Sequence, residues 1–86
     1  MDERIPVNDL SEILVAGSRV PVTCLVRNLS QGGALIESAL ANLPDRFILT
    51  NHTRSKRMVC EVAWRKGRTI GVRFRSPPRD FAPSGS

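Results

Sequence analysis

The 86-residue chain is poor in the groups that carry covalent chemistry. Its one histidine, His52, stands in the polar stretch "NHTRSK" with no carboxylate or cysteine beside it, and a lone loop histidine of this kind reads as a solvated side chain. No Ser/His/Asp order, paired carboxylates or metal-ligand spacing is visible, so no catalytic residue, metal ligand or resident cofactor is expected. Cys24 and Cys60 are too few and too far apart for a disulfide framework or a metal site, and they read as buried free thiols. No apolar run approaches the roughly 18 residues that a spanning helix needs. The N-terminus "MDERIPVND" is acidic and polar where a signal peptide is basic and then apolar. A cytoplasmic protein without a membrane segment is expected. Aromatic side chains are limited to Phe47, Trp64, Phe74 and Phe81, and the first three fall on apolar strand faces. That disfavours a nucleic-acid-binding barrel, which needs exposed aromatic platforms, although the net charge of +5 would suit one.

What is present suits one small domain. Charge is unevenly placed: residues 1–45 carry three Arg against six acids, net −3, and residues 46–86 carry ten Lys/Arg against two acids, net +8. The basic half is where an anion is drawn. Period-2 alternation dominates from Val20 onward and argues for half-buried strands. In "RVPVTCLVR", Val20, Val22, Cys24 and Val26 share a face, and Pro21 places the strand's start at an edge or bulge. "ALIES" and "LPDRFILT" supply further strands. "MVCEVAWR" and "RTIGVRF" form the clearest hairpin, with Met58, Cys60, Val62 and Trp64 facing Ile70, Val72 and Phe74, and with Lys66-Gly67 as the turn. Arg65, Arg68, Arg73 and Arg75 fall outward or at the turn, giving a basic outer face. "DLSEILVAGS" admits a short helix capped by Asp9 or Ser11, but Ile13-Leu14-Val15 suits a first strand better. The tail "SPPRDFAPSGS" is expected to be disordered or loosely draped. Five or six short strands and no convincing helix give an all-β fold, and at this length a small closed barrel, because closure removes sheet edges.

Between two of these strands lies "VRNLSQGGALIE", in which Asn28 ends one strand and Gly33 begins the next. Asn28 and Ser30 can bond backbone amides two residues on, and Gly32-Gly33 tolerate dihedrals other residues do not, so the stretch is complete as a turn. The same amide and hydroxyl also offer donors and acceptors to a nucleobase edge, and glycine permits close approach of a ligand.

"CLVRNLSQGGALIE", "LPDRFILT" and "VCEVAWRKGRTIGVRF" together resemble the PilZ domain family over roughly Val20 to Arg75. The family's signature of Asp or Asn, any residue, Ser, two residues and Gly is met by Asn28, Ser30 and Gly33; "VAWR" and "GVRF" match its later strands. The resemblance implies a six-stranded antiparallel β-barrel that binds the bacterial second messenger cyclic di-GMP, often as an intercalated dimer. The expected organisation of the chain is an N-terminal arm over residues 1–10, a barrel over 11–76 and a flexible Pro/Ser-rich tail over 77–86. The expected ligand-binding residues are Arg4, Asn28, Ser30 and Gly33.

The family's other signature is a pair of arginines separated by three residues, in the segment leading into the barrel. Guanidinium forks suit phosphate oxygens and the guanine O6/N7 edge, and Lys or Asn does not replace them. Here Arg4 can take the first position, but Asn8 stands at the second. A charged hydrogen bond is worth about 1.5–3 kcal/mol, so losing one arginine weakens binding roughly 10- to 150-fold. Arg27 with Arg65 or Arg73 is a possible substitute, against a plain reading of these as solvated outer-face residues; arginines upstream of Met1, if the chain is a fragment, are another. Two readings follow: a weak cyclic di-GMP receptor, monomeric or homodimeric, acting on an unidentified protein partner, or a degenerate barrel that binds no nucleotide and serves only as a protein interaction module.

Overall fold

The computed structural model describes residues 4–39 and 42–80. Seven strands follow in order: β1 Ile5–Leu14, β2 Val22–Leu29, β3 Gly33–Ser38, β4 Arg46–Asn51, β5 Lys56–Lys66, β6 Thr69–Phe74 and β7 Arg79–Asp80. The sheet runs β4-β1-β2-β3-β6-β5, all antiparallel, and a β4–β5 pairing closes it into a six-stranded barrel. The described residues contain no helix, and none long and apolar enough to cross a membrane. The expected all-β barrel is therefore the observed fold.

Alternation explains the closure. Ile13, Cys24, Val26, Ile36, Leu49 and Cys60 point inward and are almost fully buried, while their strand neighbours face out. Burial lifts both thiols, that of Cys24 to about 12, by desolvation and then the Glu12 charge, and that of Cys60 to about 12, by desolvation and then Cys24. The β5–β6 turn is Gly67-Arg68, one residue later than the pattern suggests, with Lys66 paired to Thr69. Gly67 takes φ 60°, which a tight hairpin asks of glycine.

The chain ends differ from expectation. β1 begins at Ile5, so most of the expected arm is a barrel strand, in which Asp9 and Ser11 are buried and cap no helix. Val20 lies outside β2 and is 73% exposed, because β2 starts only after Pro21. In the expected tail, Arg79 and Asp80 pair with Arg57 and Lys56 of β5. They do so because β6 stops at Phe74, opposite Cys60, and leaves the first residues of β5 with an open edge on that side. Residues 81–86 of that tail lie outside the described residues.

One polar cluster ties β1 to the β4–β5 turn. Asn51 Nδ2 donates to Asp9 Oδ2 at 2.9 Å, Arg54 Nε donates to the same oxygen at 2.6 Å, and the Arg54 amide donates to Asn51 Oδ1 at 3.0 Å. The turn so fixed holds Ser55 at φ 54°. His52, in this turn, meets the Glu12 carboxylate of β1, a partner supplied by the fold and not by neighbouring sequence.

Candidate functional site

Bulges in β2 and β5 decide which side chains face outward at one end of the barrel. They lie between Val26 and Asn28 and between Val62 and Trp64, and the register of β1 shifts between Pro6 and Asp9 to follow β2. The two bulges reverse the inside–outside order beyond them, whereas β1 keeps its alternation, with Val7, Asp9, Ser11 and Ile13 toward the core. The result is an outward row across four strands, with Asn28 paired to Leu35, Leu35 to Gly71 and Gly71 to Trp64. Trp64 is thus not on the inner face with Met58 and Cys60, as strict alternation predicts. Its indole covers Gly71, and it remains 42% exposed.

Around this row lies a cleft of about 210 Å³, lined by Arg4, Asn28, Ser30, Gly33, Trp64 and Arg73 among others. It is smaller than the roughly 300–1,000 Å³ pockets that enclose a drug-sized ligand, so it has room for one face of such a molecule and not for the whole of it. The four residues singled out from sequence all line it. Asn8 does not.

Their local roles differ. Ser30 and Gly33 close a two-residue turn: the Ser30 amide and hydroxyl donate to the Gly33 carbonyl at 2.9 and 3.2 Å. The Phe74 amide donates to the Gly32 carbonyl at 2.9 Å and fastens the turn to β6. Gly33 is required for proximity and not for its dihedrals, since the positive-φ glycines are Gly17 and Gly67. A Cβ on Gly33 would stand 2.3 Å from the Val72 carbonyl oxygen. The Ser30 hydroxyl is spent on its own turn, with lone pairs left to accept. The Asn28 side chain bonds to no other described residue and keeps its amide for the cleft.

The charge balance sharpens the picture. Every described carboxylate has a basic side chain as partner: Asp9 with Arg54, Glu12 with the His52 imidazole, Glu37 with Arg27, Asp45 with Arg65, Glu61 with Arg46 and Arg75, and Asp80 with Lys56. None of these acids lines the cleft. Arg4 and Arg73 line it and make no ion pair among the described residues. Of the three arginines considered as substitutes, Arg27 and Arg65 are engaged elsewhere, at 3.9 Å from Glu37 and 3.0 Å from Asp45, and only Arg73 lines the cleft. An open concavity with two uncompensated guanidinium groups, a free carboxamide and an exposed indole is suited to an anion bearing a flat ring.

Sequence reasoning missed the Trp64 placement and the Asp9–Asn51–Arg54 cluster. Among the described residues no three His, Cys, Asp or Glu side chains are grouped to hold a metal ion. No curated protein matches the chain. The family model for the PilZ domain matches residues 1–81, and with the closed barrel and the Asn28–Gly33 turn in place, the chain belongs to the PilZ domain family.

Proposed function

We propose that this chain, a member of a family of binding or adaptor domains, is a receptor that holds cyclic di-GMP in the outer cleft with Arg4, Asn28 and the Ser30–Gly33 turn. The supporting observation is that all four residues line one cleft, to which no carboxylate among the described residues contributes. Arg4 would meet a phosphate, and the Asn28 amide would meet a guanine edge or ribose hydroxyl, since it offers both a donor pair and an acceptor. The Gly33 backbone lets the ligand approach the sheet. Occupancy then changes the surface offered to a protein partner, by no more than the ligand's differential affinity for the two states.

A second reading has an observation of its own. Asn8, at the position of the second motif arginine, is exposed and lies outside the cleft lining, which favours a nucleotide-free adaptor. Isothermal calorimetry of the whole chain with cyclic di-GMP separates the two. A receptor gives saturable heat that an Asn28→Ala, Ser30→Ala double variant loses; absence of heat at high ligand concentration leaves the adaptor.

A further inference from the structure

We propose that a second surface, the groove between the outer face of β4 and β5 and the segment that carries β7, docks a short acidic segment of a partner protein. An apolar side chain of that segment rests on Ile48 and Val59, and its carboxylates meet Arg57 and Arg79. The groove shares no lining residue with the cleft. It gives a place to the protein partner that both readings above invoke, and it does not depend on nucleotide binding.

The ladder builds the groove. Arg57 and Val59 of β5 face outward while Met58 and Cys60 turn to the core. Leu14, Ile48 and Val59 pair in one row across β1, β4 and β5, and Leu14 and Val59 are 37% and 39% exposed, so an aliphatic stripe lies on the outside of the barrel. β7 runs along the first residues of β5 and raises a wall beside that stripe, which leaves a concavity of about 530 Å³ lined by Ile48, Val59, Arg57 and Arg79 among others. The wall is basic. Arg79 pairs directly with Arg57, and like charges set opposite each other in an antiparallel ladder repel. Arg79 makes no ion pair among the described residues, and the one described acid in the lining, Asp80, is held by Lys56. Residues 56–59 and 75–80 together carry four cations against one acid, net +3. A carboxylate placed between the two guanidinium groups turns their repulsion into two attractions.

The same observations select the occupant. Each described carboxylate already has a basic partner, so a second copy of this chain would bring no spare described acid to the groove and would add its own positive charge. A nucleic acid would satisfy the arginines, but its bases need aromatic platforms and this floor is aliphatic. A lipid surface takes up apolar side chains that project from a protein, whereas Ile48 and Val59 lie at the bottom of a concavity. A peptide segment with an apolar anchor between Asp or Glu residues meets both features: burial on the floor supplies affinity, and the paired arginines select the sign of charge. Glu61, the next outward position after Val59 on β5, pairs with Arg73 of the cleft lining, so a partner seated in the groove borders the cleft.

The test is selection of a random peptide display library on the full chain without nucleotide, followed by calorimetry with the most enriched peptide made synthetically. Enriched sequences should place Leu, Ile or Phe between Asp or Glu residues. Arg79→Glu should weaken that peptide about 10-fold or more, as expected for a lost charged contact. Its melting temperature should be no lower than that of the wild type, since the substitution also ends the repulsion from Arg57. Lys66→Glu, the same charge change at the other end of β5, should alter affinity less than about threefold, because exposed charges beyond a Debye length are screened. Val59→Thr, which keeps the shape and strand preference of valine, should weaken the peptide about threefold, the value of one buried methyl group, and so tests the floor without unfolding it. Cyclic di-GMP titrations of the same proteins keep a failure of the cleft distinct from a failure of the groove. No enrichment, enriched sequences without acidic residues, or equal effects of Arg79→Glu and Lys66→Glu would overturn the proposal. So would tighter binding to phosphatidylglycerol vesicles or single-stranded DNA that Arg79→Glu abolishes.

Discussion

At the scale of single residues, the most consequential side chain outside the cleft is Asp9. Its carboxylate is buried and, among the described residues, is satisfied by Asn51 and Arg54, from the far end of β4 and the turn beyond it. Asp9→Ala should cost about 2–4 kcal/mol in urea unfolding, because the buried Asn51 amide loses its acceptor and Arg54 its counter-ion. Arg54→Ala should cost less, about 1 kcal/mol, since that guanidinium is half exposed and water replaces part of what it loses. Nothing in the sequence marks this cluster. Asp9 and Ser11 look like helix-capping residues when read locally, and only a contact 42 residues away along the chain reveals what the carboxylate is for. Asn28 and Ser30 were legible by contrast, because their spacing to Gly33 belongs to a turn whose chemistry is local.

At the scale of elements, the strands and their inward faces followed from alternation, whereas the bulges did not, and the bulges build the site. A sign of one of them is nonetheless present in the β5–β6 hairpin. A two-residue turn at Gly67-Arg68 pairs Trp64 with Gly71, an outward position; the apolar pattern instead pairs Val62 with Val72, an inward one. These registers differ by one residue, and inserting Ala63 as a bulge reconciles them. The apolar pattern alone places the turn one residue early and carries Trp64 onto the inner face. The β3–β6 contact carries a prediction at this scale. Gly33→Ala forces a methyl against the Val72 carbonyl, which is backbone and cannot rotate away, so the two strands must separate locally. The expected loss is about 1–3 kcal/mol, read as a lower thermal midpoint, accompanied by loss of cyclic di-GMP heat.

At the scale of the whole molecule, the barrel is a closed ring around a core that includes two thiols, and the core gives the fold a pH limit. Cys24 and Cys60 both titrate near 9.0 when exposed and about 12 when folded. Below pH 9 neither state ionises them and their contribution is intact; above it the unfolded chain releases protons that the folded chain keeps, so stability falls as pH rises from about 9 toward 12. The urea midpoint should therefore drop between pH 8 and pH 10.5, and a Cys24→Val, Cys60→Val variant should flatten that slope. The fold class was legible because closure of six short amphipathic strands is the economical solution for a chain of this size, while β7 was hidden in a Pro-rich stretch whose composition suggests no strand. The outward turn of the recognition residues has a wider bearing. Since the interior is filled by side chains and the proposed cleft lies on the shell, a message from a ligand held there need not travel through the protein at all. A bound nucleotide would itself become part of the face that a partner touches, and the receptor would signal by wearing its ligand.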